Sequence, residues 1–287
     1  MTLKTTVWRV AIRNTPQGSI LQNTEDAFIP VPNPKGGWAA DPFLWETGDA
    51  LYIFAELFSY RKWRGNIGVC RYKNGEFSEW KEVLHEGHHF SFPNLIKTKD
   101  GVLMVPEASS ADEIPTYICT HFPDKWRKSG LLYCGEKMVD SIFLNDTDLL
   151  SYRIQAGSQV QLVLLKPNEE GKLVPVDERN DINGKLRPGG KAFRFHDWLL
   201  RPTQDCNKFY GEALDFVSVD YDGENLPREE LIKRVEVSQL HFKGIRGEVV
   251  GIHTYNATEN YEVVDFQSNQ WVPLALMKRL SMRIWKE

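Results

Sequence analysis

Asp41-Pro42-Phe43-Leu44-Trp45, a turn at Gly48-Asp49, and Leu51-Tyr52-Ile53-Phe54-Ala55-Glu56 read as a β-hairpin, because apolar and aromatic runs flank a Gly-Asp turn. The design returns at Phe92-Pro93-Asn94-Leu95-Ile96, a turn at Asp100-Gly101, and Val102-Leu103-Met104-Val105-Pro106-Glu107. Pro42 to Pro93 and Glu56 to Glu107 are each 51 residues apart, so the two copies stay in step without a gap. A third copy is Asp140-Ser141-Ile142-Phe143-Leu144, turning through Asn145-Asp146-Thr147-Asp148 and returning along Leu149-Leu150-Ser151-Tyr152. The fourth is placed at Arg201-Pro202-Thr203-Gln204, with a turn near Asn207-Lys208 and a return through Phe209-Tyr210-Gly211-Glu212-Ala213-Leu214. A weaker fifth opens at His253-Thr254-Tyr255 and returns through Tyr261-Glu262-Val263-Val264-Asp265.

A hairpin of this period cannot bury its apolar faces alone, and stacking such units around an axis solves the problem. The expected fold is all-β, a five-bladed β-propeller, with blade starts near 42, 93, 141, 202 and 254 and a single domain over residues 1–287. Val7-Trp8-Arg9-Val10-Ala11-Ile12 is a good strand that would close the ring by joining the last blade. Helical periodicity is scarce; Leu226 to Val237, with Pro227 near its first turn, predicts one short helix. Gly65-Asn66 and Gly189-Gly190 read as turn signals.

A formal net charge of −4, with no basic block, leaves no electrostatic footprint for nucleic acid. There is no apolar signal core behind Lys4 and no run of 18 apolar residues, so the expectation is a cytoplasmic chain without membrane insertion. Cys70, Cys119, Cys134 and Cys206 are scattered without zinc spacing and predict buried free thiols. No nucleotide-binding signature appears. No cofactor and no metal are expected.

Inner strands of propeller blades line the axis, so Asp41, Phe92, Asp140, Arg201 and His253, which open the repeats, are expected around one funnel. Two carboxylates, an arginine and a histidine brought together on an apolar scaffold suit glycoside chemistry. That chemistry uses one carboxylate as base or nucleophile, one carboxylic acid to protonate the leaving oxygen, and neighbours that separate their pKa values. Each residue also has a structural alternative: Asp41 before Pro42 as a strand cap, the glutamates as ion-pair partners, Arg201 as the clasp of a buried carboxylate. His85, His88 and His89 flank Gly87 and read as a funnel-rim loop. Trp38, Trp45, Trp63 and Trp198 are more simply core packing than sugar platforms.

Trp38-Ala39-Ala40-Asp41-Pro42-Phe43, Val139-Asp140-Ser141-Ile142-Phe143 and the period resemble the five-bladed propellers of glycoside hydrolase families 43, 32 and 62. That resemblance implies Asp41 as base or nucleophile and Asp140 as pKa modulator. A closer resemblance rests on Ala40-Asp41-Pro42-Phe43, Phe54-Ala55-Glu56, His89-Phe90-Ser91-Phe92-Pro93, Val105-Pro106-Glu107-Ala108-Ser109, Arg201-Pro202-Thr203-Gln204-Asp205-Cys206, Tyr210-Gly211 and Gly251-Ile252-His253-Thr254. These look like the propeller domain of glucosamine inositolphosphorylceramide transferases and related bacterial surface-polysaccharide proteins. The hydrolases' fourth-blade acid has no counterpart at Arg201–Asp205, which leaves Glu107 or Glu212 as substitute. Glu107 is preferred, since Pro106 removes a ladder donor beside it.

The expected catalytic set is therefore Asp41, Asp140 and Glu107, with Glu56, His89, Arg201, Asp205, Glu212 and His253 binding substrate. The expected function is transfer or hydrolysis of a glycosyl residue, furanosyl among the possibilities, in intracellular synthesis of a surface polysaccharide such as capsule. Its partners would be a carbohydrate donor, a glycan acceptor and a polysaccharide-synthesis complex. The alternative is a non-catalytic propeller that binds glycan or docks onto a synthase.

Overall fold

The computed structural model describes residues 4–22, 24–155, 159–245 and 248–271. Five antiparallel sheets form five blades, and the described residues contain no α-helix. Blade I runs outward from Gly37–Thr47 through Ala50–Ser59 and Arg64–Lys73 to an edge split into Glu76–Phe77 and Lys81–Leu84. Blade II comprises Ser91–Thr98, Gly101–Glu107, Glu113–His121 and Lys125–Cys134. Blade III comprises Met138–Phe143, Leu149–Ile154, Val160–Pro167 and Leu173–Asn180. Blade IV runs from Phe193–Phe195 through Trp198–Asp205 and Ala213–Asp220 to Arg228–Glu236.

Blade V is built from both chain ends, as expected. Val249–Gly251 and Tyr255–Ala257 lie inside, Glu262–Trp271 follows, and the N-terminal strand Lys4–Arg13 pairs along it from Lys4↔Trp271 to Arg13↔Glu262. A buried ion pair fastens this closure: Arg13 Nε donates to Glu262 Oε2 at 2.7 Å, while Glu262 Oε1 accepts from Tyr255 Oη at 2.6 Å and Ile20 N at 3.0 Å. Every donor aimed at this carboxylate is charged or otherwise buried, the condition under which a buried charge is tolerated.

The inner strands of blades I to III share one irregularity. Asp41, Phe92 and Asp140 have φ of 51°, 44° and 48°, and each sits in a bulge, between Ala40 and Phe43, Ser91 and Asn94, and Val139 and Ile142. A bulge turns one side chain out of the alternation and re-aims it. In blades I and III the re-aimed side chain is an aspartate; in blade II it is Phe92, fully buried edge-on to Phe43 with centroids 4.8 Å apart. A left-handed non-glycine residue costs on the order of 1–3 kcal/mol, so the three inner strands store backbone strain at equivalent positions.

Four sequence expectations are corrected. The inner strand of blade IV precedes Arg201: Phe193–Phe195 pairs with Trp198–Leu200, and Pro188 bridges Thr203, so Arg201–Gln204 belongs to the second strand. The predicted helix over 226–237 is instead the outer strand Arg228–Glu236, whose backbone joins the ladder of Ala213–Asp220; tertiary pairing overrides the local helix preference. Gly65-Asn66 lies inside a strand, and Gly189-Gly190 belongs to the chain at the axis. A Cβ on Gly190 would stand 1.9 Å from the Tyr255 carbonyl oxygen, so glycine lets blade IV press against blade V, where Tyr255 N donates to Gly189 O at 2.8 Å. Of the thiols only Cys70 is buried; Cys134, at the end of an outer strand, is exposed.

Side chains tie neighbouring blades near the axis. Asn94 Nδ2 donates to Ser141 O at 3.1 Å, Asn256 Nδ2 to Pro42 O at 2.8 Å, and Lys191 N to Asn256 Oδ1 at 2.9 Å. The Lys191 ammonium crosses from blade IV to the Leu95 carbonyl of blade II. Apolar clusters fill the gaps between blades, with Phe43, Phe54, Phe90, Phe92 and Leu95 among the first two.

Candidate active site

Two groups meet at the axis. The first is a chain of three buried residues from blades I and V. Asp265 Oδ1 accepts from His253 Nδ1 at 2.8 Å and from the backbone N–H groups of His253 and Thr254 at 3.2 and 2.9 Å; its Oδ2 accepts from Asp41 N at 2.9 Å. On the far side, His253 Nε2 lies 3.1 Å from Asp41 Oδ1, which also accepts from Thr254 Oγ1 at 3.0 Å. Burial alone would depress the imidazole, but Asp265 and Asp41 outweigh it and raise His253 to about 10. Burial would likewise raise Asp41, yet the His253 charge and hydrogen bond, with Arg187 and Thr254, hold it below the ordinary carboxylate value. Asp41 is therefore ionised, and Oδ2 has no hydrogen-bond partner among the described residues.

Asp41, His253 and Asp265 each present one ligand atom within 4.8 Å of the others, a spacing suited to a cation. Both imidazole nitrogens face carboxylates and carry protons, so the positive charge between the two acids is the imidazolium itself.

The second group joins blades III and IV. Asp140 Oδ2 accepts from Arg187 Nε at 2.5 Å and from Gln204 Nε2 at 2.8 Å. Burial, with the charges of Glu107 and Asp41, lifts Asp140 to about 7 against the pull of Arg187. The Arg187 guanidinium also lies 5.3 Å from the centroid of Tyr210. Tyr210 stands edge-on to His253 at 5.0 Å and to Trp8 at 6.0 Å, and Trp8 packs on His253 at 3.9 Å. Tyr210 is 42% exposed, so this aromatic wall reaches the solvent.

Glu56 and Glu107 occupy matching places, opposite Ala40 and Ser91 on the second strands of blades I and II. Glu107 Oε1 accepts from Ser109 Oγ at 2.6 Å. Glu56 is buried, and burial together with the charges of Asp41 and Glu107 raises it well above the usual carboxylate range. Its Oε1 is sealed from solvent without a hydrogen bond, and His89 Nε2 lies 3.6 Å from it.

The structure thus gathers Asp41, Asp140, Glu56, Glu107, His89 and His253 around the axis. The other three expected residues lie elsewhere. Arg201 is fully buried and paired with Glu229 through Nε and Nη2. Asp205 and Glu212 both bind Arg234, with Lys185 and Lys208 completing a charge cluster on blade IV. Trp38 stacks on Phe58 at 4.6 Å and Trp63 packs edge-on to the same ring at 5.4 Å; Trp45 lies 6.3 Å from Phe122, whereas Trp198 is 54% exposed.

Arg187, Asp265, Tyr210 and Trp8 were not singled out as site residues by the sequence. Counting the 48 to 51 residues that separate the first three bulges onward from Asp140 reaches 188–191, beside Arg187. Asp265, an acid inside the apolar run Val263-Val264-Asp265-Phe266, is the kind of misfit that marks a buried polar partner.

Five blades with buried carboxylates facing a common axis define a five-bladed β-propeller with an acidic axial site. Residues 30–275 match the family described as glucosamine inositolphosphorylceramide transferase 1, N-terminal, and the chain belongs to that family. It is 29% identical to glucosamine inositolphosphorylceramide transferase 1 of Oryza sativa subsp. indica over 87% of this chain and 36% of the relative. It is 27% identical to the Arabidopsis thaliana protein of the same name over 74% of this chain and 30% of the relative. The chain therefore spans about a third of the length of these relatives. Among solved structures, it shares its fold with a thermostable family-43 glycoside hydrolase (TM-score 0.50, 11% identity, 83% of this chain and 91% of that one). A GH62 hydrolase in complex with xylotriose is similarly placed (TM-score 0.50, 10% identity, 79% and 90%).

Proposed function

We propose that the axial site transfers a glycosyl residue to a glycan or glycoconjugate acceptor. The observation that carries this reading is a pair of buried carboxyl groups on one hairpin with opposite surroundings: Asp41 lies 3.1 Å from the His253 imidazole, which holds its proton affinity down, whereas Glu56 has an unbonded buried oxygen and is raised by burial and the charges of Asp41 and Glu107. Pairs whose environments push their pKa values apart are what glycosyl chemistry at neutral pH requires. Asp41 has low proton affinity because a cation is bound to it, which suits attack on, or charge stabilisation at, an anomeric carbon better than proton abstraction. Asp140, near neutrality and clasped by Arg187, adjusts the charge opposite. The relatives' name, a transferase, favours transfer over hydrolysis. Intracellular work on a surface glycan, with a furanosyl donor among the candidates and a synthesis complex as partner, is part of the same proposal and rests on the sequence alone.

Thermal unfolding against free furanoses and pyranoses, sucrose, sugar nucleotides and oligosaccharides tests the reading. A ligand at a hundred times its Kd adds about 2.7 kcal/mol. Stabilisation by one class, altered in Asp41→Asn, is expected; indifference to all of them would sink the proposal in favour of a docking propeller.

A further inference from the structure

The unused feature of the site is the geometry around Glu56. Gly65 N donates to His89 Nδ1 at 2.9 Å, so that nitrogen is an acceptor and the neutral ring carries its proton on Nε2. Burial keeps His89 below the ordinary histidine value, hence neutral. Its Nε2–H faces Glu56 Oε1 at 3.6 Å, an oxygen with no other partner. A Cβ on residue 65 would stand 2.3 Å from that same oxygen, so glycine both admits the carboxyl and fixes the imidazole. In a neutral carboxyl one oxygen accepts and the other carries the proton. With Oε1 facing an N–H, the proton belongs on Oε2, which makes no hydrogen bond among the described residues. Besides burial, the charges that weigh most on Glu56 are those of Asp41, Glu107, His253 and Asp265; of these only His253 favours its anion.

We propose that Glu56 is the proton donor to the leaving oxygen, that His89 positions its proton on Oε2, and that the donor is accordingly a glycoside rather than a sugar nucleotide. The inference rests on the transfer reading above. A nucleoside diphosphate departs as a stable anion and needs no acid, whereas an alkoxide leaving group does. Asp41 Oδ2 forms a bond to the anomeric carbon as the glycosidic C–O bond breaks. That bond's electron pair stays on the leaving oxygen, which takes the proton from Glu56. The acceptor hydroxyl then attacks the same carbon, its proton passes to Glu56, and Asp41 leaves with its electron pair. The proton count closes without a relay through His89, whose Nδ1 is blocked by Gly65.

Two measurements test this separately. The first uses infrared spectroscopy of the protein carrying carboxyl-13C glutamate, which separates glutamate bands from Asp140. A protonated-carboxyl band at pH 7, absent in Glu56→Gln, is expected; no such band in wild type overturns the assignment whatever the enzyme does. His89→Phe should shift that band as the N–H is lost, and His89→Gln, which keeps a donor, should restore it. No shift overturns the positioning role. The second compares matched methyl and 4-nitrophenyl glycosides of arabinofuranose, xylose and glucosamine. Glu56→Gln should lose about 100-fold or more on methyl glycosides and less than about tenfold on 4-nitrophenyl glycosides, whose phenolate needs little help. Equal losses on both overturn the acid role while leaving transfer intact. Turnover of sugar nucleotides undiminished in Glu56→Gln overturns the donor class. An Asp41→Asn enzyme as fast as wild type on every donor removes the transfer reading, and this proposal with it.

Discussion

Replacing His253 by glutamine should change how stability depends on pH, not merely how large it is. The unfolded histidine titrates near 6.5 and the folded one at about 10. Between those values the native protein holds a proton that the unfolded chain has released. Stability contributed by the imidazolium is therefore fully present below pH 6.5 and lost as pH rises through about 10. The slope is about −1.4 kcal/mol per pH unit, and across the window the loss reaches about 5 kcal/mol, comparable with the lower end of whole-domain stabilities. Asp41 is already ionised throughout this window and adds nothing to the slope. Below pH 6.5, His253→Gln leaves two buried carboxylates without their cation, a loss of about 3–5 kcal/mol. Urea unfolding of both proteins at pH 6, 7, 8 and 9 gives the difference curve, from which the groups common to both drop out. The gap should be widest at pH 6 and close as pH rises. Parallel curves would refute the imidazolium account. Should the variant not fold, imidazole resonances of wild type supply the same test: one histidine should remain protonated at pH 9.

Three further outcomes follow from neighbouring residues. Because Glu56 is raised, its native form keeps a proton that the unfolded chain loses above about pH 4.5; wild type should weaken relative to Glu56→Gln by about 1.4 kcal/mol per pH unit from there up to its native pKa, and a pH-independent difference in urea unfolding would count against a neutral Glu56. Arg187→Met removes the cation that restrains Asp140, so its titration, followed by 13C NMR of labelled aspartate, should move upward from about 7; an unmoved or lower value contradicts the pairing. Gly190→Ala drives a Cβ to 1.9 Å from a backbone carbonyl at φ 147° and should cost about 3 kcal/mol or more, seen as a lowered Tm, whereas a Tm within a degree of wild type would mean blades IV and V separate freely there.

The period and turn chemistry made three blades legible, because Asp41-Pro42, Phe92-Pro93 and Asp140-Ser141 each begin a full-length inner hairpin. Blade IV was misplaced for a physical reason. Its inner strand shrinks to Phe193–Phe195 beside a glycine-rich segment pressed on blade V, so the apolar hairpin signature falls on the second and third strands instead. Arg201 inherited a site role from that error. The carboxylates were visible as misfits in apolar runs; their partners were not. Asp41 and Asp265 meet across 224 residues where the ring closes, and Asp140 and Arg187 across 47 where adjacent blades pack, pairings that no local pattern encodes. The surroundings of Glu56 were equally hidden, since it shares a register with Glu107 and the two differ only in their neighbours: Ser109 Oγ bonds Glu107, whereas Glu56 keeps an unbonded oxygen near His89.

The proposed action of Asp41 on a sugar at the axis is tested most directly by turnover and affinity, measured together, of wild type and Asp41→Asn on whichever carbohydrate stabilises the fold. Turnover should fall by several orders of magnitude with Kd little changed. Equal turnover in the two proteins, or a Kd lost in proportion to turnover, would contradict it.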